Sequence, residues 1–208
     1  IYKSAGATLN PLTLFVINAS DFLTKNIGMI AMFTVVVIVA LVMAYKNIKP
    51  FRKQAQILFM RIPLFGKIII YNELTIFTKT FASLLRNDVY ITDSIEILSK
   101  ITNNEVYKEI MINTVSNITK GEKISESFKD QWAVPDIAYY MIVTGENTGQ
   151  LSDMMAKVSN YYQEQHRTIV NSLKNMIEPL LIMFLAVVVG GILIAVVIPM
   201  FNLYNQIS

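Results

Sequence analysis

The sequence predicts an all-α membrane protein, with two transmembrane helices flanking an antiparallel cytoplasmic helical bundle of about six helices. Two runs, residues 27–45 and residues 179–208, hold no charged side chain. The segment between them is charged and mixed, with apolar residues at three- and four-residue spacing. Period-2 alternation, the mark of a half-buried strand, does not occur.

The composition fits this division. The chain of 208 residues is 53% hydrophobic and 16% charged, against about 25% charged in an average soluble domain. The deficit is confined to the two runs. There are no cysteines, which excludes disulfides, thiolate metal sites and a cysteine nucleophile. One histidine, His166, cannot build a multi-histidine metal centre. A net charge of +3 is too small to argue for nucleic acid.

The first run, IGMIAMFTVVVIVALVMAY from Ile27 to Tyr45, is apolar on every face and flanked by Lys25 and Lys46. At 1.5 Å per residue it spans roughly 28 Å, close to the hydrocarbon thickness of a bilayer. Thr34 is its mid-span hydroxyl, and bonding to its own helix backbone satisfies it. The second run, PLLIMFLAVVVGGILIAVVIPMF, extends from Pro179 to Phe201. Pro179 reads as the first turn of that span, where proline loses no hydrogen bond, with Glu178 favoured by the helix dipole just before it. Glu178 and Pro179 thus form the junction where the helix enters the membrane. Ala186, Gly190, Gly191 and Ala195 make overlapping small-xxx-small spacings, which let another helix backbone approach. Pro199 is expected to kink or end the span.

Orientation follows from basic residues. Lys46, Lys49, Arg52, Lys53, Arg61 and Lys67 follow the first span with no acid before Glu73, and Lys174 precedes the second. The positive-inside rule then puts residues 46–178 in the cytoplasm and both ends outside. The predicted organisation is a periplasmic loop (1–26), a transmembrane helix (27–45), a cytoplasmic helical bundle (46–178), a transmembrane helix (179–201) and a periplasmic tail (202–208). A start outside, with no signal-peptide pattern, calls for an earlier span in a longer protein.

Within 46–178 the stripes are Leu74, Phe77, Phe81, Leu84 and Leu85; Ile91, Ile95 and Leu98; Val106, Ile110, Val115 and Ile118; and Leu151, Met154, Met155, Val158, Tyr161 and Tyr162. Methionine and aromatics at this spacing read as core, not as a cofactor pocket. The breaks fall between stripes. Asn87-Asp88 precedes a helix that Thr92 can cap, and Asn103-Asn104 separates the next pair. Lys120-Gly121 ends a helix, Pro135 opens another, and Gly145 closes it. The last helix runs from about Leu151 to Asn175 and leads into the second span.

The dense polar motif is Gly145-Glu146-Asn147-Thr148-Gly149-Gln150-Leu151. It lacks the spacing and the Lys-Ser/Thr of a P-loop, and with Asp153 it does not make an EF-hand. It reads as a junction between helices. Gly145 ends one, Gly149 frees the turn, Thr148 or Ser152 caps the next, and Glu146 bonds loop amides. A divalent-ion site there is the weaker reading. His166, in Gln-Glu-Gln-His-Arg, reads as a solvated helix face. No ionisable group lies inside either run, so an ion path is not visible. The basic residues of 46–67 read as topology and as contact with anionic headgroups.

Three stretches carry a resemblance. They are Pro63-Leu64-Phe65-Gly66-Lys67 followed by Phe77 and Phe81-Ala82-Ser83-Leu84-Leu85; Gly121-Glu122-Lys123-Ile124-Ser125 followed by Gly145 to Leu151; and Ile177-Glu178-Pro179-Leu180-Leu181 with Gly190 and Pro199. Gly6-Ala7 and Pro11-Leu12-Thr13 add to them. In order and spacing these resemble the second half of the type II secretion protein F / type IV pilus platform family. Asn87-Asp88-Val89 departs from it where the family places glycine, but Asn and Asp tolerate a left-handed turn. The resemblance implies an inner-membrane platform that is not an enzyme and needs no cofactor. The implied partners are a cytoplasmic hexameric assembly ATPase, pilins or pseudopilins, other inner-membrane assembly proteins, further copies of itself, and membrane lipid, with no nucleic acid. Gly145, Glu146, Gly149 and Leu151 become candidate partner-binding residues, and Ala186, Gly190, Gly191 and Ala195 candidates for packing within the membrane. A permease subunit would need polar groups at mid-membrane. A receptor would need a larger outside domain than about 26 residues.

Overall fold

A computed structural model describes residues 11–207, and among them the secondary structure is helical. The α-helices are α1 (Pro11–Asn47), α2 (Lys49–Arg61), α3 (Phe65–Arg86), α4 (Ile91–Ile101), α5 (Glu105–Thr119), α6 (Asp136–Thr148) and α7 (Leu151–Ile207), with a 3-10 helix at Ile124–Phe128. The motif at Gly6-Ala7 lies outside the described residues. The chain divides into two units, Met43–Leu173 and a second formed by Ile1–Val42 with Lys174–Ser208.

Six α-helices, α2 to α6 and the first part of α7, build the Met43–Leu173 unit, as the stripes predicted. Its core holds Leu74, Phe77 and Phe81 of α3, Ile95 and Leu98 of α4, Val106, Tyr107, Ile110 and Met111 of α5, and Met155, Val158 and Tyr162 of α7. Each such side chain contributes roughly 1.5–3 kcal/mol relative to leaving it in water. Phe77 stacks with Phe81 at 5.7 Å and meets Phe128 of the 3-10 helix at 5.4 Å. Tyr107 is fully buried, and its hydroxyl donates to the Ala133 carbonyl at 2.6 Å. Burial pushes that hydroxyl's pKa well up, with the Glu73 carboxylate adding to the effect.

Helix ends follow local chemistry. Asn104 caps α5, its side-chain oxygen accepting from the Val106 and Tyr107 amides. At the other end Gly121, at φ +82°, donates to Ile118, while Glu122 donates to Asn117. That paired pattern is a Schellman motif. α3 ends the same way with Asp88 at φ +59°: the amides of Asp88 and Val89 donate to Leu85 and Leu84. Aspartate therefore holds the left-handed position where the resemblance expected glycine.

Several boundaries differ from expectation. Thr92 does not cap α4, which begins after Tyr90 without a side-chain cap. Thr92 lies one residue inside the helix, too late to serve as N-cap. α6 does not close at Gly145. It continues to Thr148 and ends at Gly149, at φ +69°. Neither Thr148 nor Ser152 caps α7. The Thr148 hydroxyl donates back to the Thr144 carbonyl and the Ser152 hydroxyl to the Ala82 carbonyl.

In the other unit, α1 starts at Pro11, well before Ile27. Thr34 donates to the Ile30 carbonyl at 2.8 Å, satisfying its hydroxyl within the helix. Glu178 and Pro179 lie inside α7, not at a helix start, so neither a first-turn proline nor a dipole-stabilised carboxylate is present there. A proline inside a helix removes one hydrogen bond and crowds the carbonyl four residues back, at a cost of about 3 kcal/mol. The 57-residue helix absorbs it. Pro199 does not end the helix either, which runs on to Ile207.

By length and composition three stretches can cross a membrane: Ser20–Asn47, Phe65–Arg86 and Leu151–Ile194. The sequence predicted two. The extra one, α3, differs in burial: 28% of its most apolar window is inside the protein, against none for the other two. Its apolar face is occupied by the core just described.

Candidate functional site

The polar motif Gly145–Leu151 and the Gly121–Ser125 stretch of the resemblance meet in space. Gly145 sits on the inner face of α6, buried against the start of α7. A Cβ there would stand 2.9 Å from the Leu151 Cα and 3.1 Å from the Met154 Cβ. Glycine is thus required for the close crossing of α6 and α7, not for ending a helix. Leu151 is itself buried and fills that crossing.

Glu146, the next residue, turns toward the 3-10 helix. Its carboxylate accepts from the Ile124 amide at 2.7 Å, the Ser125 amide at 3.2 Å and the Ser125 hydroxyl at 2.6 Å. These amides are the unpaired donors of a helical amino end, which a carboxylate satisfies well. Lys123 donates to the Asn147 side-chain oxygen at 2.8 Å, and Asn117 to the Ser127 hydroxyl at 3.0 Å. The expected bonding of loop amides by Glu146 is therefore present, but the loop is the distant Ile124–Ser125 segment. Asn147, Thr148, Gly149 and Gln150 remain exposed at the tip. Among the described residues no group of three or more His, Asp or Glu side chains is placed to hold a metal ion. His166 is half-buried on α7.

The Pro63–Lys67 motif has its own geometry. Pro63 forces Ile62 into an extended conformation, which ends α2. Leu64 follows at φ 66°, ψ −58°, and the Phe65 amide donates to the Pro63 carbonyl at 3.0 Å. This is a γ-turn with its central residue at positive φ, a strained form. A Cβ on Gly66 would stand 1.9 Å from the Met60 carbonyl oxygen. Only glycine lets α3 begin so close to the end of α2.

α2 has two unlike faces. Arg52 pairs with Glu105, and Lys53 pairs with Glu109 at 2.6 Å, both on α5. Gln56 donates to the Asn103 carbonyl at 3.1 Å and accepts from the Glu105 amide at 2.8 Å. Met60 is buried on the same side. The opposite side carries Phe51 and Leu58, and Ile48 and Ile62 cap the two ends of the helix, all four exposed. Sequence reasoning noted the basic residues here and missed this stripe. Its apolar residues were legible, but not that they point away from the core.

In the second unit Gly190 and Gly191 have nothing within 4 Å of where a Cβ would stand. The side chain of Ala195 lies outside the described ones. The apolar side chains from Leu180 to Leu185 are exposed in this chain.

Comparison with known proteins bears on the same segments. Residues 77–199 match the family model described as type II secretion system (T2SS), protein F. The type IV pilus assembly protein PilC of Pseudomonas aeruginosa is 27% identical over 215 residues, covering 100% of this chain and 56% of that protein. PilC of Thermus thermophilus is 30% identical over 212 residues, with 100% and 51% covered. The type II secretion system protein F of P. aeruginosa is 24% identical over 208 residues, with 100% and 51% covered. The chain spans about half the length of these relatives.

Proposed function

This chain belongs to the type II secretion system protein F family, and on that premise we propose that it forms part of an inner-membrane assembly platform for a type IV pilus or a type II secretion machine. The observation that carries the reading is the extent of the match, which includes most of the bundle core and the apolar part of α7. In this reading α1 and the later part of α7 span the membrane, and the bundle lies in the cytoplasm. The bundle works by contact, not by catalysis. It engages an assembly ATPase and passes that enzyme's movement to pilin or pseudopilin subunits entering the filament.

Support for a docking role comes from the Gly145–Leu151 turn. Its base is fixed by the Gly145 crossing, the buried Leu151 and the three bonds to Glu146, while its tip is open. A rigidly held exposed tip meets a partner with little loss of entropy. Gly149 lies in that tip, whereas Gly145, Glu146 and Leu151 hold it in place. Packing within the membrane, against further copies or filament subunits, is assigned to the face of Ala186, Gly190, Gly191 and Ala195.

A photo-crosslinker at Gln150 of the full-length protein, in cells that assemble filaments, tests the docking role. The expected product joins this protein to the cytoplasmic ATPase. Filament-producing cells that give no such product at Gln150 or at neighbouring Asn147 would sink the assignment.

A further inference from the structure

We propose that α2 is an interfacial helix whose exposed Phe51 and Leu58, with Ile48 and Ile62 at its two ends, are seated in the headgroup region of an anionic membrane. Three observations carry this.

The first is the orientation of the stripe. At 100° per residue Phe51 and Leu58 lie on the side of α2 opposite Met60, the residue that fixes the packed face, while Ile48 and Ile62 are its exposed caps. Leu58 is 65% exposed and Met60 4%. The packed face is held by Arg52, Lys53 and Gln56 through bonds to α5 and the loop before it. The helix therefore cannot roll to bury its stripe without breaking those bonds. Nearby Phe59, Leu64 and Phe65 are exposed as well.

The second is connectivity. Ile48 comes three residues after Tyr45, where the uncharged run of α1 ends. Even a fully extended chain covers only about 3.5 Å per residue. If α1 spans the membrane, Ile48 lies within about 10 Å of the hydrocarbon edge by chain length alone.

The third is charge. No acid occurs between Asp21 and Glu73, while six basic residues lie from Lys46 to Lys67. Lys46, Lys49 and Lys67 take part in no ion pair among the described residues, and Arg61 faces the Trp132 ring at 5.7 Å. An exposed apolar helix face in a segment that carries unpaired cations and no acid suits anionic headgroups over an acyl boundary. It suits a second copy less well, because a two-fold contact through the stripe would bring together two segments of the same positive charge.

The test uses the full chain in phosphatidylethanolamine–phosphatidylglycerol vesicles. The protein has no cysteine, so Leu58→Cys, Ile62→Cys, Glu122→Cys and Val36→Cys each take a single nitroxide. The expected result at 58 and 62 is collision with dissolved oxygen favoured several-fold over collision with a water-soluble nickel chelate, relative to 122. In phosphatidylcholine vesicles this preference should weaken. Adding Leu58→Asp should return the label at 62 toward water. Nickel access at 58 and 62 equal to that at 122 would overturn the proposal. Shielding from both reagents would also overturn it, by giving the stripe to a protein interface. Equal seating in both lipid mixtures would overturn the assignment to anionic headgroups. The label at 36 reads the α1 span separately, so a failed span is distinguished from a failed interfacial helix.

Discussion

Glu146 binds Ser125 twice, through the Ser125 amide at 3.2 Å and its hydroxyl at 2.6 Å, although 21 residues separate them. With the Ile124 amide at 2.7 Å, this ties α6 to the 3-10 helix. The Gly145–Leu151 motif thereby becomes the anchor of the Gly121–Ser125 stretch.

Glu146→Ala leaves two backbone donors and a hydroxyl without their acceptor. Hydrogen bonds to a charged group contribute roughly 1.5–3 kcal/mol net. At roughly 2–4 °C per kcal/mol for a chain of this size, the melting temperature of the detergent-solubilised protein should fall by several degrees. Ser125→Ala should lose less, because the amide bonds survive. In the double mutant the two losses should fall short of adding, since both remove the same bond. Fully additive losses would count against a shared contact.

Glycine substitutions should separate by what surrounds them. Gly66→Ala meets the Met60 carbonyl oxygen at 1.9 Å, and Gly145→Ala meets the Leu151 Cα at 2.9 Å, both backbone atoms that cannot swing aside. Overpacking of this kind costs typically about 1–3 kcal/mol, and Gly66 should lie at or beyond the upper end. Gly190→Ala meets nothing within 4 Å and should leave the fold unchanged. A thermal-melt series of the three variants checks the order, and a mild Gly66→Ala would refute it.

Capping offers a paired comparison. Asn104 accepts from two amides at the start of α5, so Asn104→Ala should destabilise by about 1 kcal/mol. Thr92 makes no cap at α4, and Thr92→Ala should be near neutral. Hydrogen exchange of the first-turn amides of each helix measures this locally. Faster exchange at α4 in Thr92→Ala would contradict it.

Stability should depend on pH through Glu73. This half-buried carboxylate on α3 accepts from the Thr102 hydroxyl at 3.1 Å. Burial raises its pKa above the usual carboxylate value of 4.5, and the hydrogen bond opposes the rise. The folded protein therefore holds this proton more tightly than the unfolded chain does. That contribution is complete below the unfolded value and is lost as pH rises through the raised folded one. Glu73→Gln keeps an acceptor for Thr102 without the buried charge. It should melt higher than the parent near about pH 7, with the difference shrinking toward about pH 4. A difference that grew on acidification would reverse the sign and refute the account.

The features legible in the sequence were local. The uncharged runs, the apolar stripes of α3, α4, α5 and α7, the break at Asn103-Asn104 and the Gly121 stop each depend on residues within a turn or two of one another. Solvent preference and backbone freedom act at that range, so the pattern carries them. The tertiary structure decided which face meets what. Gly145 looked like a helix end because glycine often is one. Its real constraint is the Leu151 backbone across the α6–α7 crossing. Gly66 owes its place to one carbonyl of α2, and Glu146 to amides more than twenty residues away. Phe51 and Leu58 on α2, with Ile48 and Ile62 at its ends, are as apolar as a core face, yet the helix packs through Met60, Gln56 and two ion pairs. Periodicity fixes that a helix has two faces. Only the partners supplied by α5, far along the chain, fix which of them is turned inward.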